Sequence, residues 1–203
     1  MLTARHFRFG VKPAVFVCAS VPILLLAYDA LWTPLRANPY PTLVRETGYW
    51  SLRFLILCLA VTPLRVWSGW AALVRLRRML GLFAAFYAGA HFGVWAMDYG
   101  FDWPFIVGEI AARTYLWIGF IGTAFLLLLA LTSVKPALRA LGGQAWQRLH
   151  RLVYPAAILA WLHYWLAGRL SAAELPLDSF LLLVLLGWRL WRSGAKPAQS
   201  RHS

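Results

Sequence analysis

The stretch WQRLHRLVYPAAILAWLHYWL, residues 146–166, decides how this chain is read. It is almost wholly apolar beyond Arg151, yet it carries His150 at one end and His163 thirteen residues later. An ionisable side chain inside a membrane-length apolar run is costly, so each is a functional candidate. A second stretch, RRMLGLFAAFYAGAHF at 77–92, has the same design: arginines first, an apolar run, then His91.

Helical rise sets the depth of these side chains. At about 1.5 Å per residue, His91 stands about 18 Å above Met79, and His163 about 21 Å above Leu149. The two imidazoles therefore reach a similar level on different helices. Imidazole is a standard axial ligand of haem iron, and a bis-histidine site needs two rings at one depth. Small residues accompany both. Gly81, Ala84, Ala88 and His91 follow one helix stripe, and Ala156, Ala160, His163 and Ala167 follow another. Such stripes either leave space for a ring or let helices pack closely.

Outward from these stretches, the 203 residues are 61% hydrophobic and only 13% charged, against about 25% charged in an ordinary soluble domain. Mean hydropathy is +0.62. The expected architecture is all-α and integral to a membrane: one six-helix bundle with spans at about 11–31, 48–66, 79–97, 114–134, 149–167 and 177–193. The cationic start with Arg5, Arg8 and Lys12 is read as the opening of the first helix rather than a removed signal. Residues 194–203 have the composition of a disordered tail.

Charge sets the expected orientation. Three quarters of the 20 Lys and Arg fall at the N-terminus, around 65–78, around 135–151 and from 189 onward. The opposite ends hold Arg36, Arg45, Arg53, Arg113 and Arg169, together with all 7 acidic residues. Cation-rich loops stay in the cytoplasm, so both termini are expected there. Most of the 12 tryptophans lie near span ends, as an interfacial belt requires. A net charge of +13 is thus assigned to membrane anchoring, and nucleic acid is not an expected partner.

His150 lies about 20 Å below His163. On the third span, the stripe continued downward meets Arg77 rather than a histidine. Arg77 is read either as a partner of a cytoplasmic-side cofactor or as an anchoring cation. A straight helix would point His150 and His163 in different directions, and Pro155 between them can turn the register. His6 and His202 are terminal and read as solvated. Cys18 and Cys58 have no paired spacing, which excludes c-type haem attachment and iron–sulfur ligation. There is no glycine-rich nucleotide loop, no HExxH and no chain of membrane carboxylates.

These residues, with ANPYPTLVRETGYWSLRFLILCLAVTPLR at 37–65 and LALTS at 129–133, resemble the ferric-reductase-like transmembrane group. Within it they look like the MsrQ (YedZ) family, across nearly the whole chain. The resemblance implies a haem-binding subunit in the bacterial inner membrane, with b-type haem (one or two) and FMN. It implies electrons arriving from the quinone pool or a cytosolic flavin reductase and leaving to a periplasmic molybdopterin methionine-sulfoxide reductase, MsrP. The family's haem histidines match His91, His150 and His163, and its arginine near the cytoplasmic haem matches Arg77. The chain would then carry electrons without being the catalytic subunit. Unlike full ferric reductases, it lacks a fourth histidine. The competing readings are a stand-alone cytochrome b and, in a different class, a haem-free transporter or assembly scaffold whose histidines bridge helices.

Overall fold

The computed structural model describes residues 7–32, 38–168 and 174–194, and every element among them is helical. A single π-turn, Phe7–Val11, leads into α1 (Lys12–Trp32). Then follow α2 (Tyr40–Ser68), α3 (Val74–Asp98), α4 (Trp103–Ala112), α5 (Thr114–Leu131), α6 (Lys135–Leu149), α7 (Val153–Leu166) and α8 (Glu174–Gly194). Short 3-10 turns at Ala71–Leu73 and His150–Leu152 join α2 to α3 and α6 to α7.

Among the described residues, four helical stretches are long and apolar enough to cross a membrane: Phe9–Trp32, Tyr40–Ser68, Ala71–Asp98 and Thr114–Leu131. They coincide with the first four expected spans. The fifth and sixth expectations fall on α7 and α8. α7 has 14 residues, about 21 Å of rise and short of a hydrocarbon core of about 30 Å. α8 has 21 residues but carries Asp178, Arg189 and Arg192 within them. Among the described residues, length and composition therefore mark four such helices. Large apolar side chains stay outside the protein core along the bundle, among them Leu24, Leu25, Leu183 and Leu190. Water would penalise that surface and lipid would not.

Two helix pairs organise the core. α2 packs along α3, and α5 packs against α7, with α3 and α5 in contact between the pairs. Close approach follows from small residues. Ala84 and Ala156 are fully buried, and Ser51 Oγ donates to the Ala84 carbonyl at 2.9 Å across the α2–α3 seam. The lower halves of both small-residue stripes therefore serve helix packing. α2 ends where Gly69 adopts the left-handed conformation (φ 69°), which a Cβ would strain.

A hydroxyl stitches α1 to α3, beside the contact of the Phe16 and Phe83 rings. Pro22 interrupts α1, and beside it the fully buried Tyr87 donates to the Ala19 carbonyl and accepts from the Ile23 N–H, both at 3.0 Å. Those two backbone groups are i, i+4 partners in a regular helix. The hydroxyl has entered the ladder and satisfies both.

Two connections differ from the sequence expectation. Residues 135–149, read as a polar connection, form α6, with Pro136 in its first turn and a break at Gly142 (φ 72°, ψ 157°). Proline fits a first turn because its missing N–H has no helical acceptor there. The expected continuous span at 149–167 begins instead at Val153, after the 3-10 turn. Pro155 then lies in the first turn of α7 and opens that helix rather than bending it. His6, His202, the expected tail from 195 onward, Arg36 and Arg169 lie outside the described residues.

Candidate functional site

His91 on α3 and His163 on α7 meet in a cleft between the two helix pairs. Their ring centroids are 5.9 Å apart and their planes cross at 79°. Each ring is tied to the helix that its own helix packs against. His91 Nδ1 lies 2.7 Å from the Val44 carbonyl of α2, and His163 Nδ1 lies 2.7 Å from the Tyr115 carbonyl of α5. A carbonyl only accepts, so both Nδ1 atoms carry the proton and both Nε2 atoms hold the lone pair. That is the tautomer of a metal-ligating histidine oriented by a backbone oxygen.

The spacing suits one metal ion between the rings. A metal–imidazole bond of about 2.0–2.1 Å on each side puts two opposed ring centroids about 6 Å apart. The cleft is lined by small residues around the rings: Gly48, Ala88, Gly119, Gly122, Ala160 and Ala167. Its volume is about 100 Å³. The donor atoms, their spacing and the small lining residues together fit an iron macrocycle. At the α4–α5 connection, Arg113 Nε pairs with Glu109 at 2.7 Å, and that hydrogen bond and charge raise the guanidinium pKa.

His150 does not join this pair. It faces a second, larger cavity of about 1040 Å³, where Arg77 also lies. Trp146 stacks on the His150 ring at 3.8 Å between centroids. The Trp146 indole N–H donates to the Thr132 carbonyl at 2.9 Å, while Thr132 Oγ1 stands 3.3 Å from His150 Nε2. Arg78, Arg151 and Arg189 add cations to the same wall, and the floor is apolar, with Leu55, Leu129 and Ile158. Such a chamber suits a ligand with an apolar body and anionic arms. Leu126 lines both cavities and separates them.

Sequence reasoning named His91, His163, His150 and Arg77, and the structure pairs the first two and places the last two on one cavity. It missed the carbonyl anchors, which carry no sequence signal. It also missed Gly119 and Gly48, Thr132 and Trp146. Arg189, read only as an anchoring cation, lies with its guanidinium carbon 4.8 Å from the Tyr154 ring centroid, on the wall of the second cavity.

A helical membrane scaffold with one imidazole from each of two helix pairs defines a class, and the known relatives agree with it. Residues 47–161 match the model of the ferric reductase like transmembrane component, and the chain belongs to that family. Within it, the chain falls in the MsrQ group. A relative from Polaromonas naphthalenivorans is 44% identical over 91% of this chain and 86% of its own length. One from Ralstonia nicotianae is 42% identical over 94% and 89%, and one from Xanthomonas euvesicatoria is 40% identical over 95% and 91%. All three carry the name protein-methionine-sulfoxide reductase heme-binding subunit MsrQ.

Proposed function

We propose that this chain is the haem-carrying electron conduit of a methionine-sulfoxide reductase system. One observation carries the reading: two imidazoles from different helices oppose each other at 5.9 Å, each with Nδ1 bonded to a backbone carbonyl. His91 and His163 hold a b-type haem in the cleft. His150 and Arg77 hold a second haem in the larger cavity, with Arg78, Arg151 and Arg189 available to its propionates. Bound haem supplies one-electron chemistry that no side chain here can supply. The chain fixes ring orientation, excludes water with an apolar wall and neutralises anionic groups.

In this reading the protein is a six-helix, multi-pass inner-membrane bundle with both termini in the cytoplasm, its 203 residues one haem-binding domain. The basic ends favour that orientation. α7 extended by the turn at 150–152 serves as the fifth span, and α8 as the sixth. Electrons come from the quinone pool or a cytosolic flavin reductase, FMN is a further cofactor, and the acceptor is a periplasmic MsrP-type molybdoenzyme that repairs oxidised proteins. The names of the relatives support the haem and the methionine-sulfoxide system.

The test is haem quantification by pyridine haemochrome on the detergent-purified chain, followed by pull-down of its periplasmic molybdoenzyme. The reading expects b-type haem at one to two per chain and co-purification of the reductase. Haem without the reductase would favour a stand-alone cytochrome. Absence of haem would leave a transporter or scaffold.

A further inference from the structure

Two glycines stand against the two cleft histidines in matching positions. A Cβ built on Gly48 would lie 2.9 Å from His91 Nδ1 and 3.1 Å from its Cε1. A Cβ built on Gly119 would lie 2.6 Å from His163 Nδ1 and 2.7 Å from its Cε1. At each glycine the three nearest atoms all belong to the histidine ring. Other helical glycines nearby differ. Gly93 meets nothing within 4 Å, and Gly122 faces Leu159 and the backbone of α7.

The register explains the match. Gly48 comes four residues after Val44, and Gly119 four residues after Tyr115, the two residues whose carbonyls receive the imidazole protons. On a helix, residue i+4 sits over the carbonyl of residue i, and its Cα–Cβ bond tilts back toward the N-terminus. A side chain at i+4 therefore occupies the approach that a ring from a neighbouring helix must use. Glycine leaves that approach open. A methyl at Gly119 would have to push the ring back by about 0.8 Å to restore an ordinary contact of 3.4 Å. Such a shift takes a 2.7 Å hydrogen bond to the edge of bonding distance.

We propose that Gly48 and Gly119 are positioning residues that let each imidazole reach its carbonyl, which fixes both rings with Nε2 toward the cleft and their planes near perpendicular. This rests on the haem reading above and adds the device that sets ligand geometry. Near-perpendicular axial imidazoles give ferric low-spin haem a strongly anisotropic electron paramagnetic resonance signal, whereas parallel rings give a rhombic one. The N–H···O=C bond also makes the imidazole a stronger donor, which favours the oxidised iron and lowers the midpoint potential.

The experiment compares purified full-length wild type with Gly48→Ala, Gly119→Ala and, as a control, Gly93→Ala. Low-temperature electron paramagnetic resonance and redox titration are recorded on each. Ring nitrogen-15 NMR is added, because it reads the imidazole tautomer with or without haem. The expected result is a strongly anisotropic signal in wild type and Gly93→Ala. Each of the other variants should show reduced anisotropy, a raised potential and loss of the hydrogen-bonded Nδ1–H resonance of its own histidine. Variants that keep the wild-type signal, potential and tautomer overturn the proposal. If wild type holds no haem, the cofactor reading fails by itself and the tautomer comparison still decides the role of the glycines. If a variant fails to accumulate, His163→Ala/Gly119→Ala is compared with His163→Ala. The proposal expects equal accumulation, since the ring the methyl would strike is gone. Loss of the double variant would assign Gly119 to helix packing and overturn it.

Discussion

Replacing Tyr87 by Phe removes one oxygen atom from a fully buried site and severs two bonds at once. The hydroxyl bridges the Ala19 carbonyl and the Ile23 N–H at 3.0 Å each. Hydrogen bonds between helices in membranes contribute about 0.6 kcal/mol on average and at most about 1.7. Two of them amount to roughly 1–3 kcal/mol by that scale. Pro22 already deprives α1 of one ladder bond at this turn, which hinders reclosure between residues 19 and 23. For a chain of about 200 residues, each kcal/mol moves Tm by about 2–4 °C, so the expected loss is roughly 2–12 °C. Differential scanning fluorimetry in detergent measures it, and the haem spectrum of the same sample provides the control. Tyr87 lies a full turn from His91 and does not line the cleft, so the spectrum should be unchanged. An unshifted Tm, or a Tm shift matched by an altered spectrum, would refute the account of Tyr87 as a helix stitch.

Further predictions concern the second cavity, the partition and the caps. His150→Ala should lower the haem-to-protein ratio while leaving the cleft signal intact, as measured by pyridine haemochrome and electron paramagnetic resonance. Thr132→Val keeps the Trp146 bond to the backbone carbonyl but removes the hydroxyl 3.3 Å from His150 Nε2, and should shift only the signal assigned to the larger cavity. Leu126→Ala joins the two cavities and, as a large-to-small core change, should cost about 2–5 kcal/mol, read as a lowered Tm. Gly69→Ala forces a Cβ into a left-handed position and should cost about 1 kcal/mol, again read by Tm.

What the sequence made legible was whatever a helical rise can count. His91 and His163 lie on different helices, yet 1.5 Å per residue from the basic ends placed them at one level, and their rings are neighbours in the structure. The first four spans were legible because a long apolar run has few alternatives. α6 was not, because Lys135–Leu149 is polar enough to read as a loop and owes its helicity to Pro136 in a first turn and to the Ala and Leu that follow. Pro155 reads as a bend in the sequence because proline both bends helices and begins them, and only the 3-10 turn at 150–152 separates these uses. The cleft's anchors were invisible for a deeper reason. Every residue has a carbonyl, so Val44 and Tyr115 become special only once a neighbouring helix brings a ring to them. The one residue-type signal of that arrangement is a glycine four positions later, and glycines in membrane helices have many other uses.

The central claim is that His91 and His163 together hold a haem in the cleft. The most direct measurement is the reduced-minus-oxidised difference spectrum of detergent-purified wild type, recorded beside His91→Ala and His163→Ala at equal protein. The account predicts a b-type α band in wild type and the same loss of cleft haem in both variants, with the contribution of the larger cavity retained. A wild type without Soret and α bands, or two variants with full haem, would contradict it.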